Sequence, residues 1–112
     1  MTARRLAGFR AWLWQRATAV YVGLFAIYLL GRLATAPFES AAGLRRWLSG
    51  TTVWVAFGLF VVAVLLHAWI GVRDVILDYV KPPALRLALL AAVMLFLAGN
   101  GLWLAAILME VR

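Results

Sequence analysis

Long apolar blocks alternate with short basic ones along this chain. Three stretches, at about 17–35, 51–72 and 85–109, consist almost wholly of aliphatic, aromatic and small residues. Each meets the length of about 20 residues that a helix needs to cross roughly 30 Å of hydrocarbon. Their apolar residues come in unbroken runs rather than in the stripe of a soluble amphipathic helix. The pattern predicts an all-α membrane protein with three transmembrane helices in a single domain, residues 1–112.

Local signals set the boundaries. Ala36-Pro37 stops the first helix, because proline lacks an N–H and restricts the residue before it. Residues 38–48 form a polar connection, with a one- or two-turn interfacial helix expected around Leu44 and Trp47. Ser49-Gly50-Thr51-Thr52 offers N-cap residues to the second span. The helical pattern continues past Val72 into 73–79, and Pro82-Pro83 ends it and opens the third helix. Two small-xxx-small pairs, Ala19/Gly23 and Gly101/Ala105, are candidate seats for close helix approach. Ala and Gly are also simply common in membrane helices, and that plainer reading stands beside the first. The six tryptophans fall mostly near the expected boundaries, as an aromatic belt would.

Composition agrees with the pattern. Of 112 residues, 67% are hydrophobic, well above a soluble domain. The net charge of +7 comes from eleven Lys and Arg against four Asp and Glu. Because these cations flank apolar blocks, topology and lipid head groups account for them, and no nucleic-acid partner is expected. Arg4, Arg5, Arg10 and Arg16 precede the first span, and Arg73, Lys81 and Arg86 lie between the second and third. These seven outnumber Arg32, Arg45, Arg46 and Arg112 on the other side. The positive-inside rule then puts the N-terminus in the cytoplasm and the C-terminus outside. The basic start, followed by a long apolar block without a clear cleavage site, is expected to remain on the mature chain. With no cysteine, the chain holds no disulfide and ligates no iron–sulfur cluster.

One residue departs sharply from this apolar background. His67 is the only ionisable side chain in 51–72. Polar groups inside a membrane span are expensive and mark functional sites by default. Imidazole nitrogen is a common ligand of haem iron. The rival readings are a histidine hydrogen-bonded to a neighbouring helix, or a proton relay. Gly71 follows at i+4, where a bare backbone would let a flat macrocycle lie below the imidazole. The chain has no second histidine, so a six-coordinate haem needs Met94, Met109 or another chain for its other ligand, and another chain is favoured.

Asp74, Asp78, Tyr79 and Lys81 gather at the end of the second helix. A tyrosine hydroxyl beside a carboxylate suits a quinone head group, which needs hydrogen-bond donors and a proton supply. Ordinary interfacial anchoring explains the same residues. Arg16 suits a propionate carboxylate, or serves only as a topology charge. Nothing in the chain supports an independent enzyme.

The segments Arg16-Ala17-Thr18-Ala19, His67-Ala68-Trp69-Ile70-Gly71, Asp78-Tyr79-Val80-Lys81-Pro82 and Ala84-Leu85-Arg86-Leu87 resemble the smaller hydrophobic membrane anchor of bacterial succinate dehydrogenase, respiratory complex II. Length and the three-span plan extend the resemblance over essentially the whole chain. It implies a four-subunit enzyme of the inner membrane, serving the tricarboxylic acid cycle and electron transport. The implied partners are a flavoprotein, an iron–sulfur protein and a cytochrome b-type anchor, with a trimer of heterotetramers as a further assembly open to it. It implies haem b shared between the anchors, with His67 as axial ligand and Arg16 near the propionates. Tyr79 is then the tyrosine that hydrogen-bonds ubiquinone, with Asp78 its acidic neighbour. Two alternatives remain at this point, a fumarate reductase anchor and a non-redox membrane scaffold. The connection at 38–48 and the second proline, Pro83, depart from the resemblance.

Overall fold

The structure, a computed structural model, describes residues 3–112 apart from the side chain of Arg4. The topology charge assigned to Arg4 lies outside the described residues. Four helices follow in order: α1 (Ala3–Thr35), α2 (Ala41–Ser49), α3 (Thr51–Tyr79) and α4 (Pro83–Val111). Three of them, α1, α3 and α4, are long and apolar enough to cross a membrane. The chain is an all-helical, multi-pass membrane protein.

The helices exceed the expected spans. The first begins at Ala3 rather than near Ala17, so the basic segment is a helical extension of the span. At 1.5 Å per residue its 33 residues reach about 50 Å. The second continues to Tyr79, as its pattern indicated, and the third opens at Pro83 with Pro82 as N-cap. The short helix around Leu44 and Trp47 is present as α2, capped by the Ser40 hydroxyl, which accepts from the Gly43 N–H at 3.1 Å. The N-cap expected at 49–52 takes another form. Gly50 is the N-cap of α3 and offers no side chain, while Ser49 donates back to the Arg46 carbonyl at 2.8 Å. Thr51 instead accepts from Arg112, at 2.8 Å, tying the chain's end to the start of α3.

The three long helices form a flat layer with α3 in the middle. Among the described residues α1 packs on α3 and α3 on α4, but α1 and α4 do not touch. The molecule accordingly measures 50 × 30 × 22 Å. Cross-helix contacts run in opposite chain directions, so neighbours are antiparallel. On the α1 side the Tyr21 hydroxyl donates to the Ala56 carbonyl at 2.6 Å. Phe25, 8% exposed, stacks its ring 4.8 Å from Phe60 and 6.2 Å from Phe57. On the α4 side the Trp54 indole donates to the Leu108 carbonyl at 2.7 Å.

The two small-residue pairs have different fates. A β-carbon on Gly101 would stand 2.9 Å from the Leu65 Cδ1, so this glycine is a seat for α3 against α4. Among the described residues nothing lies within 4 Å of the corresponding point on Gly23, so that glycine is no such seat.

Candidate functional site

His67 sits on the middle helix and faces α1. Its Nδ1 lies 3.2 Å from the Thr18 hydroxyl. That hydroxyl also lies 2.7 Å from the Trp14 carbonyl and 3.2 Å from the Gln15 carbonyl. Among the described residues the other ring nitrogen, Nε2, meets no hydrogen-bond partner. One edge of the ring is thus held by the protein and the other is available. Counting residues along α3, the ring is about 24 Å from the helix start and about 18 Å from its end. It therefore lies deep within a span.

One turn on, Gly71 faces the same helix. A β-carbon there would stand 3.3 Å from the Gln15 Nε2, so the bare backbone at this point is covered by a side chain of α1. The Gln15 Oε1 is buried without a partner among the described residues. Gln15 also lines an open cleft of about 420 Å³ between α1 and α3, together with Arg16, Arg73, Asp74 and small residues of α1. Arg16 is exposed on its rim, with its guanidinium 5.9 Å from the Trp12 ring. Asp74 is engaged by Arg73 at 3.1 Å. The cleft therefore presents cations, an amide and an orphan acceptor directly beside the histidine's turn of helix.

Asp78 and Tyr79 lie elsewhere. They occupy the last turn of α3, twelve residues or about 18 Å beyond the histidine for Tyr79. Tyr79 is 79% exposed. Arg86 of α4 reaches back across the connection. Its Nε donates to the Val80 carbonyl at 3.1 Å and its Nη2 to the Leu77 carbonyl at 3.0 Å. A cation on the terminal carbonyls of α3 complements the helix dipole and holds the turn that carries Asp78 and Tyr79.

The sequence-based expectations thus map onto two places, a ring deep in the layer and a tyrosine at its edge. The structure brings together His67, Gly71 and the cleft bearing Arg16, all on the α1–α3 seam. Met94 and Met109 lie largely exposed on α4, on the other side of α3. Among the described residues there is no cluster of three or more His, Cys, Asp or Glu side chains. Three roles were not read from the sequence, namely the contact of Thr18 with His67, the place of Gln15 beside Gly71, and the clamp made by Arg86. The signal for Thr18 was available, because it is a small hydroxyl just inside an apolar run.

Comparison with known proteins adds a second line of argument. Residues 3–102 match the family model described as succinate dehydrogenase/fumarate reductase transmembrane subunit. The chain is similar to the succinate dehydrogenase hydrophobic membrane anchor subunit of Coxiella burnetii (strain RSA 493 / Nine Mile phase I). The two are 35% identical over 105 residues, covering 91% of this chain and 87% of that one. With three spans, a histidine deep in the middle one and these matches over most of its length, the chain belongs to the family of succinate dehydrogenase/fumarate reductase transmembrane subunits.

Proposed function

We propose that this chain is the smaller hydrophobic anchor of a bacterial succinate:ubiquinone oxidoreductase, sharing a haem b with a cytochrome b-type anchor and contributing Tyr79 and Asp78 to the ubiquinone site. The observation that carries the reading is His67, an imidazole inside a span with Nδ1 at Thr18 and, among the described residues, no partner at Nε2. A histidine serving only as a bolt between α1 and α3 has no need of an open second nitrogen.

The residues present fit a haem. Nε2 of His67 would hold the iron, and the exposed guanidinium of Arg16 would pair with a propionate. The space beside Gly71 is filled by the Gln15 amide, so packing of a macrocycle against Gly71 would require Gln15 to move aside. The other iron ligand would come from the sister anchor, because Met94 and Met109 lie across α3 from the seam that His67 faces. When bound, haem b supplies a one-electron centre within the membrane. The chain's own part is positional. It orients the ligand ring, pairs the propionates and excludes water from the seam.

At the edge of the layer the Tyr79 hydroxyl donates to a quinone carbonyl oxygen, and Asp78 beside it exchanges protons with the aqueous interface. The seven-to-four distribution of basic residues supports a cytoplasmic N-terminus and a quinone site on the cytoplasmic side of the bacterial inner membrane. Succinate oxidation and iron–sulfur electron transfer belong to a flavoprotein and an iron–sulfur partner, since this chain has no cysteine. Both faces of a flat layer remain for the sister anchor and for assembly into a trimer of heterotetramers.

A second reading, the anchor of a fumarate reductase, is favoured by the family description, which spans both enzymes. Purification of the complex through a tag on this chain separates them. The expected result is co-purification of three partners and succinate-driven ubiquinone reduction faster than quinol-driven fumarate reduction. The opposite ratio assigns the chain to a fumarate reductase, and a chain that co-purifies with no redox partner is a scaffold.

A further inference from the structure

Among the described residues Thr18 is the one buried polar side chain, 5% exposed, and the haem reading gives it no role. A hydroxyl has a single hydrogen to donate and lone pairs to accept with. Three groups compete for it: the Trp14 carbonyl at 2.7 Å, the Gln15 carbonyl at 3.2 Å and the His67 Nδ1 at 3.2 Å. The carbonyls accept only. The shortest contact is the back-bond to i−4 that threonine commonly makes in helices. The hydroxyl hydrogen is therefore spent on the α1 backbone, and a lone pair of Oγ1 faces the ring. The 3.2 Å approach is then a hydrogen bond only if Nδ1 carries the hydrogen. With the hydrogen on Nε2 instead, two lone pairs would face each other in a low-dielectric seam.

We infer that Thr18 is a positioning residue that holds His67 in the tautomer with hydrogen on Nδ1, so that the neutral ring keeps its lone pair on Nε2. The carbonyl of Trp14 completes the relay, from α1 backbone to Thr18 to the α3 imidazole. An unconstrained histidine side chain favours the other tautomer, with hydrogen on Nε2 and no lone pair there to offer a metal. Partners of the second ring nitrogen fix both tautomer and ring orientation at metal sites. The consequence for iron rests on the haem reading above. The tautomer itself does not.

The chain has one histidine, so its imidazole can be read alone. The full-length chain, carrying ¹⁵N-imidazole histidine and a histidine-free tag, is placed in lipid bilayers without haem and measured by solid-state NMR. The expected wild-type spectrum has an N–H signal at Nδ1 and a lone-pair signal at Nε2. Thr18→Val, which keeps the shape and removes the oxygen, is expected to move the hydrogen to Nε2, and Thr18→Ser to restore the wild-type pattern. Hydrogen on Nε2, or on both nitrogens, in the wild type overturns the inference whether or not Thr18→Val folds. In the intact complex, loss of the Nδ1–H acceptor weakens the ligand's donor strength. The haem midpoint potential is then expected to rise in Thr18→Val and to stay near wild type in Thr18→Ser. An unchanged potential in Thr18→Val overturns the positioning role. A wild-type complex without haem removes the haem reading and leaves the tautomer result standing.

Discussion

The side-chain nitrogen of Gln15 lies 3.3 Å from where a β-carbon on Gly71 would be, so the seam beside His67 has room for a hydrogen atom and little more. The neighbour at that point is the end of a flexible amide, which is able to yield a few tenths of an ångström. Gly71→Ala is therefore expected to fold and keep its haem, helped by the better helix propensity of alanine, about 1 kcal/mol. Gly71→Leu has no such escape and pushes α1 away from the ring. It is expected to lower haem content per complex at least several-fold, read from the Soret band against protein.

Gly101 provides the contrast. Its β-carbon would meet the Leu65 Cδ1 at 2.9 Å, on the α4 side of the middle helix. Gly101→Leu is expected to loosen α3 from α4 and lower the thermal midpoint of the complex, while the haem band of the molecules still folded keeps its position. A shifted haem band in this variant would mean that the two seams are not independent.

Arg86 donates to the carbonyls of Val80 and Leu77, on either side of Asp78-Tyr79. Arg86→Ala releases both carbonyls and frees the turn. The expected effect is a several-fold rise in KM for a short-chain ubiquinone with an unchanged haem spectrum. Arg86→Lys recovers only part of it, because an ammonium does not reproduce the planar fork of donors. Equal KM in wild type and Arg86→Ala would remove the clamp from the account.

Much of this was legible in the sequence, for identifiable reasons. The three spans follow from uninterrupted apolar runs, and the breaks at Pro37 and Pro82-Pro83 from the chemistry of proline. His67 stood out because it is the only ionisable side chain in its apolar run, and the hydrogen bond to a neighbouring helix weighed beside the ligand reading is present at Thr18. The start of α1 was not legible, because residues 3–16 mix arginines with tryptophans and leucines and read equally well as a flank. The N-cap of α3 was misplaced because hydroxyls at 49, 51 and 52 look like caps, yet Ser49 bonds back to Arg46 and Thr51 is taken by Arg112. The partnership of Thr18 with His67 and of Gln15 with Gly71 joins residues 49 and 56 positions apart. Only the register of α1 on α3 sets those pairs, and hydropathy carries no register.

Tyr79 lies exposed at the end of α3, in keeping with a hydroxyl meant for a partner. Tyr79→Phe removes one donor and changes little else. Loss of a hydrogen bond to a quinone carbonyl is expected to lower ubiquinone reduction about tenfold, the equivalent of roughly 1.4 kcal/mol. The haem spectrum stays as in wild type. Turnover equal to wild type would mean that the quinone takes its hydrogen bond elsewhere.

The central claim is that the Nε2 of His67 ligates a haem shared with a second anchor. A reduced-minus-oxidised difference spectrum of the purified complex, wild type beside His67→Ala, tests it most directly. The expected result is a b-type haem signal in the wild type that is lost or strongly altered in His67→Ala, with all partner subunits still present. An identical haem signal in the two complexes would contradict it.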